Sequence, residues 1–86
     1  MKRRDNWYLR YWKYDPKKGE YGPEWQHVGE DRGHALARLN VCKITDNVPQ
    51  VDLYRIKETE DGVILESEKV AVKDSADGYN FVGVPV

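Results

Sequence analysis

The sequence predicts a small α+β domain in which one helix packs on one face of an antiparallel sheet. Residues 51–58 and 63–72 are rich in strand-forming residues and are separated by Glu-Asp-Gly, a typical β-hairpin signal. Aromatic residues are dense in residues 6–15, and an amphipathic helical pattern follows at residues 32–42. With 86 residues, the chain has the size of one domain, so we expect residues 1–86 to fold as a unit.

The first element is a predicted strand at residues 6–15, where Trp and Tyr are abundant. Pro16 and Gly19 indicate a turn after it, because proline presets φ and glycine accepts a positive φ. A short second strand is predicted at residues 25–28, closing a hairpin with the first. The basic residues that precede the first strand, within residues 1–5, are expected to form a flexible terminus.

Asp31 is the predicted N-cap of the helix, since its carboxylate can accept hydrogen bonds from free helical N–H groups. The predicted helix has one apolar stripe, formed by Ala35, Leu36, Leu39 and Cys42. The two C-terminal strands follow, and a second Asp-Gly pair favours a short fifth strand at residues 79–84. The order β-β-α-β-β, with a fifth strand left open, implies an antiparallel sheet with the helix on one face.

The first strand has two chemically different faces, because side chains alternate along a strand. We expect the face with Trp7, Leu9 and Tyr11 to join the core, since it holds the only aliphatic residue of this strand. The other face places aromatic rings around a guanidinium. Together with two lysines of the turn, it supplies the candidate binding residues: Tyr8, Arg10, Trp12, Tyr14, Lys17 and Lys18. The alternative is that these rings pack across neighbouring strands or beneath the helix.

Trp, Tyr and Arg dominate the energetics of protein interfaces. Our first hypothesis is therefore a protein-binding accessory factor or inhibitor, of the kind that phages and mobile elements encode. The alternative is nucleic-acid binding by the same face, with rings stacking on bases and cations meeting phosphates. The net charge of −1 counts mildly against it, because nucleic-acid-binding domains are usually basic. Homodimerisation through a strand edge is also left open.

No catalytic, metal or cofactor motif stands out, so we expect a protein that is not an enzyme. Cys42 lies on the apolar stripe, where a thiol behaves as a small hydrophobe, and the spacing of His27, His34 and Cys42 does not match a zinc site. Apolar runs such as Val63–Leu65 are far shorter than the ~20 residues of a membrane span. With one cysteine and no signal-peptide pattern, a cytoplasmic location without membrane contact is predicted.

One part of the sequence resembles a known family. The motif WYLRYW at residues 7–12, a glycine-containing turn, Trp25-x-x-Val28 and Ala35-x-x-x-Leu39 are similar to the arm-binding domains of phage-type integrases. The similarity covers about the first half of the chain. It implies a small sheet with one helix that binds DNA through the sheet. The acidic second half and the additional hairpin depart from that pattern.

Overall fold

Five strands and one helix form the part of the chain that the computed structural model describes, residues 3–83, with side chains from residue 5 onward. The strands make one antiparallel sheet in the order β2-β1-β3-β4-β5. This architecture confirms the predicted α+β class. The fifth strand is present but ends at Phe81, earlier than predicted, and residue 84 of the prediction lies outside the described residues. The elements are β1 Arg3–Asp15, β2 Glu20–His27, α1 Arg32–Asn40, β3 Gln50–Thr59, β4 Ile64–Ser75 and β5 Gly78–Phe81.

The central strand β1 pairs with β2 on one side and with β3 on the other. It begins earlier than predicted because Arg3–Asp5 pair with Lys57–Thr59 of β3. The last three residues of the predicted flexible terminus are therefore in the sheet, while residues 1–2 lie outside the described residues. β2 is longer than predicted and contains Pro23, which an edge strand tolerates because one of its sides has no ladder hydrogen bonds.

The helix α1 is fixed at both ends by side chains. Asp31 is the N-cap, as predicted, and its Oδ2 accepts a hydrogen bond from the backbone N of His34 at 2.8 Å. The helix ends at Asn40, two residues before the predicted end. There the Lys73 ammonium of β4 donates to the carbonyl oxygens of Asn40 at 2.6 Å and Cys42 at 2.7 Å. These bonds satisfy carbonyls that a helix end leaves without partners and tie α1 to the sheet.

The hydrophobic core lies between α1 and one face of the sheet. In β1 it takes Trp7 and Leu9, and Tyr11 packs at its margin, so the predicted division of this strand into two faces is confirmed. We call this side of the sheet the covered face. Its buried apolar residues, with those that pack onto it from α1 and the β2–α1 connection, are Trp7, Leu9, Val28, Ala35, Leu39, Val51, Leu53 and Ala71.

Candidate functional site

The side of the sheet opposite α1 carries an aromatic surface, and no helix within residues 3–83 covers it. Residues directly opposite each other in an antiparallel pair share a face, so the strand register shows which side chains meet there. We call this surface the open face. It comprises Tyr8, Arg10, Trp12 and Tyr14 of β1, Tyr21, Trp25 and His27 of β2, Gln50, Asp52 and Tyr54 of β3, and Lys69 of β4.

Asp52 is the electrostatic centre of the open face, and its side chain is 0% exposed. Its Oδ2 accepts hydrogen bonds from Arg10 Nε at 3.0 Å, Arg10 Nη2 at 2.6 Å and Trp12 Nε1 at 3.0 Å. Its Oδ1 accepts from Gln50 Nε2 at 2.8 Å. Lys69 Nζ lies 3.9 Å from Oδ2.

The hydrogen bonds decide the charge of Asp52. Burial acts to raise the pKa of this carboxyl, but the hydrogen bonds from Gln50, Arg10 and Trp12, together with the Lys69 charge, outweigh burial. The pKa of Asp52 therefore lies below its ordinary value. Hydrogen bonds to the ionised form act in this direction, and those with a charged partner are the strongest. Asp52 is thus an ionised anchor for the side chains around it.

Arg10 is held between this carboxylate and a set of aromatic rings. Its guanidinium carbon lies 4.6 Å from the ring centre of Trp12, 4.8 Å from that of Tyr54 and 5.6 Å from that of Trp25. These distances lie within the ~6 Å range of a cation–π contact. The Arg10 side chain is only 18% exposed, so this predicted binding residue mainly holds the rings in position.

The most exposed rings of the open face come from β2, the neighbouring edge strand. Trp25 is 47% exposed and Tyr21 is 50% exposed. Trp25 packs edge-on against Tyr54, with ring centres 5.1 Å apart, and near Tyr8 at 6.5 Å. Tyr21 packs against Tyr14 at 5.2 Å. The rings of β1 therefore do pack across strands, as the alternative interpretation held, while the rings of β2 extend the aromatic surface towards solvent.

A groove of about 510 Å³ crosses the open face from Trp25 on β2 to Ile64 on β4. Its volume is typical of binding clefts. At one side of it, Glu58 Oε1 accepts hydrogen bonds from the Tyr8 hydroxyl at 3.3 Å and from Asn6 Nδ2 at 2.5 Å. Burial and the neighbouring Glu58 raise the pKa of Tyr8. The groove is lined by Tyr8, Arg10, Trp25, Tyr54, Ile56, Glu58, Ile64 and Ser67.

The two predicted lysines lie away from this centre. Lys17 and Lys18 are exposed in the turn between β1 and β2, past the end of β1. Asp15 Oδ1 accepts a hydrogen bond from the backbone N of Lys17 at 2.9 Å, which organises the turn. The structure thus brings together four of the six predicted residues and leaves the lysine pair at the end of the surface.

Sequence reasoning missed the outer part of the surface. The sequence predicts a strand for Trp25 but gives no sign that Trp25 belongs to the site, and Tyr21 precedes that predicted strand. Tyr54 and Asp52 were assigned only to a strand. The rings at positions 21, 25 and 27 would share one face of a strand, but Pro23 between them favours a turn.

The Cys42 thiol lies at the margin of the core, just past the end of α1. The Cys42 thiol donates to the carbonyl oxygen of Arg38 at 3.2 Å and lies 3.8 Å from the Tyr11 hydroxyl. Burial and Cys42 raise the pKa of Tyr11 to about 12. Within residues 3–83 there is no group of three or more His, Cys, Asp or Glu residues placed to hold a metal ion. The same residues contain no helix with the length and apolar character needed to cross a membrane.

Comparisons with protein-family models, with curated proteins and with solved structures each gave no significant match. The resemblance to integrase arm-binding domains therefore finds no support among them.

Proposed function

We propose that this protein is a non-catalytic binding module that docks a protein partner on its open face. The observation that carries this proposal is a pair of exposed rings on β2: Trp25, which lines the groove, and Tyr21, which lies farther along the same face. Large, rigid aromatic side chains are typical anchors of protein interfaces. Here the central rings contact Arg10, which Asp52 fixes in turn. A surface ordered before association loses less side-chain entropy on binding.

The charges of the open face favour a protein over a nucleic acid as its partner. A nucleic-acid surface gains affinity from several Lys or Arg groups that meet successive phosphates. Arg10 and Lys69 instead share one buried carboxylate, so their charges meet at a single point, and Lys17 and Lys18 lie past the end of β1. Glu58 lines the groove as well. The alternative is that a nucleic acid binds by stacking its bases on these rings, and the experiment described below distinguishes the two.

We propose that the protein acts by occupying a surface of its partner, as an accessory factor or inhibitor does, in the cytoplasm. The groove supports occupancy, because three aromatic rings and two isoleucines of its lining offer apolar contact area to a partner. Cys42 packs against the covered face at the end of α1, away from this groove.

The proposal is tested by affinity capture from a nuclease-treated extract of the native host, comparing Trp25→Ala with Phe81→Ala. Phe81 is a matched control because it is 42% exposed but lies opposite Ala71, on the covered face. We expect one stoichiometric protein partner to bind the unmodified protein and Phe81→Ala. Loss of a hot-spot ring removes about 2 kcal/mol or more, roughly a thirtyfold loss of affinity, so Trp25→Ala should lose this partner.

Two outcomes contradict the proposal. Equal retention of the partner by the two variants places its binding elsewhere on the molecule. Association that disappears with nuclease and falls steeply as salt is raised identifies a nucleic acid as the ligand.

A further inference from the structure

A second depression of about 420 Å³ lies on the open face beside the groove. We call it the basic pocket. It differs from the groove because two cations border it, and it contains no carboxylate among its lining residues. These are Arg10, Trp12, Tyr21, Pro49, Gln50 and Lys69.

The basic pocket carries an excess of positive charge and of hydrogen-bond donors. Arg10 and Lys69 share one carboxylate, that of Asp52. Asp52 already accepts four hydrogen bonds, from Arg10, Trp12 and Gln50, which is about the number a carboxylate accepts. Lys69 Nζ lies at 3.9 Å from it, beyond hydrogen-bond distance.

The surroundings of Lys69 favour its attraction to an anion. Its side chain is 34% exposed and borders the depression. Trp12 and Tyr21 border the same depression. An anion beside them would lie in a medium that screens charge less than bulk water does, and an apolar group attached to that anion would contact the rings.

We propose that the basic pocket receives the carboxylate of an aspartate or glutamate side chain of the protein partner, with an adjacent apolar residue of the partner against Trp12 and Tyr21. This inference rests on the proposed function, that the open face docks a protein. A single acceptor between Arg10 and Lys69 balances the charge of the pocket. A nucleic-acid strand would present phosphates in series, whereas the next lysines, Lys17 and Lys18, lie in the turn past β1.

The probes are two tripeptides with blocked ends, Phe-Glu-Phe and Phe-Gln-Phe, titrated into nitrogen-labelled protein and followed by NMR. They have nearly the same shape and differ by one charge. We expect Phe-Glu-Phe to shift the Trp12 Nε1–H, Arg10 Nε–H and Gln50 amide signals with saturation. Phe-Gln-Phe should bind about three- to fivefold more weakly, the effect of one partly exposed ion pair.

A matched pair of variants separates this pocket from general surface charge. Lys69 and Lys57 are both strand residues, with side chains 34% and 31% exposed and a carboxylate at 3.9 Å and 4.0 Å, respectively. Lys57 lies opposite Glu66 next to Arg55, on the covered face. We expect Lys69→Gln to weaken Phe-Glu-Phe about three- to fivefold and to leave Phe-Gln-Phe unchanged. Lys57→Gln should change neither peptide.

Charge reversal provides the decisive comparison. Lys69→Glu should prefer blocked Phe-Lys-Phe over Phe-Glu-Phe, the opposite of the unmodified protein. Thermal unfolding of each variant verifies that the domain remains folded. If Lys69 has only a structural role, Lys69→Glu should not gain a preference for Phe-Lys-Phe.

The inference is overturned if Phe-Glu-Phe and Phe-Gln-Phe bind equally, if Lys57→Gln weakens binding as much as Lys69→Gln, or if no saturable shift appears. If the two peptides bind equally but shift the signals of Trp25 and Tyr54, the proposed protein-docking function remains intact. A thymidine oligonucleotide is titrated at physiological salt and followed by the same Lys69 and Trp12 signals. If it binds with higher affinity than Phe-Glu-Phe does, the anion that the pocket receives is a phosphate. That result would overturn both proposals.

Discussion

The two faces of the sheet are built from the same strands but differ in how their side chains are ordered. On the covered face, Leu9 and Leu53 are 0% exposed and pack among aliphatic residues beneath α1. On the open face, the rings surround a charged pair, Arg10 and Asp52, joined at 2.6 Å. Burial of apolar area holds the covered face together. On the open face, hydrogen bonds to Asp52 hold Arg10 and Trp12, and the neighbouring rings pack against Arg10 and against one another. One strand, β1, can therefore serve the core and a candidate interface at once.

The largest effect is expected on the covered face. Leu9→Ala should lower the free energy of unfolding by about 3–4 kcal/mol, because it removes buried methylene groups and leaves a cavity. Chemical denaturation measures this loss. Ile64→Ala is the control, since Ile64 is 62% exposed and its truncation should change stability by only about 0.5 kcal/mol. Equal losses for the two variants would contradict the assignment of the core.

Breaking the charged pair of the open face should cost nearly as much. Asp52→Asn leaves the largely buried guanidinium of Arg10 without its counter-ion, an arrangement that costs about 3 kcal/mol. A double-mutant cycle with Arg10→Met should give a coupling energy of about 1–3 kcal/mol. A coupling energy close to zero would mean that Asp52 does not hold Arg10 in place.

Acid should lower the stability of the fold by protonating the carboxyl group of Asp52. The pKa of Asp52 is lowered in the folded protein, so its ionised form stabilises the fold fully above the unfolded value of about 3.9. That contribution is lost as the pH falls below this value and through the lower folded pKa. Unfolding measured from neutral to acid pH should therefore show a smaller fall in stability for Asp52→Asn than for the unmodified protein. Parallel curves would contradict this role of Asp52.

The smallest change in stability is expected at the β2 edge of the open face. Trp25→Ala removes a half-exposed ring that packs on Tyr54, and should lower the free energy of unfolding by about 1 kcal/mol. Trp7→Ala is the comparison, since Trp7 is 4% exposed and should cost about 3–5 kcal/mol. Denaturation curves with the reverse order would show that Trp25 is part of the structural core.

Local patterns predicted much of the fold. Alternation in β1 separated the face of Leu9 from that of Arg10, Asp31 was the correct N-cap, and Asp-Gly marked both C-terminal hairpins. The end of α1 was not predictable in this way, because Lys73 reaches it from β4, far along the chain. The start of β2 was missed because Pro23 indicates a turn locally, while its place on an edge strand becomes visible only in the sheet.

The candidate site was predictable only in the part that one strand supplies. Tyr8, Arg10, Trp12 and Tyr14 share a face by alternation alone. Asp52 pairs with Arg10 across 42 positions of sequence, so its role depends on the register of β1 and β3. A lone acid between Val51 and Leu53 in a buried strand is a signal that could have marked it, because a buried charge requires a partner.

Fluorine NMR of the protein labelled with fluorotryptophan tests most directly whether the open face is the one that binds. Its tryptophans report on the two faces: Trp7 is in the core, whereas Trp12 and Trp25 lie on the open face. On addition of the partner captured in nuclease-treated extract, the signals of Trp12 and Trp25 should shift or broaden and that of Trp7 should stay in place. A complex that moves Trp7 while leaving Trp12 and Trp25 unchanged would contradict the account.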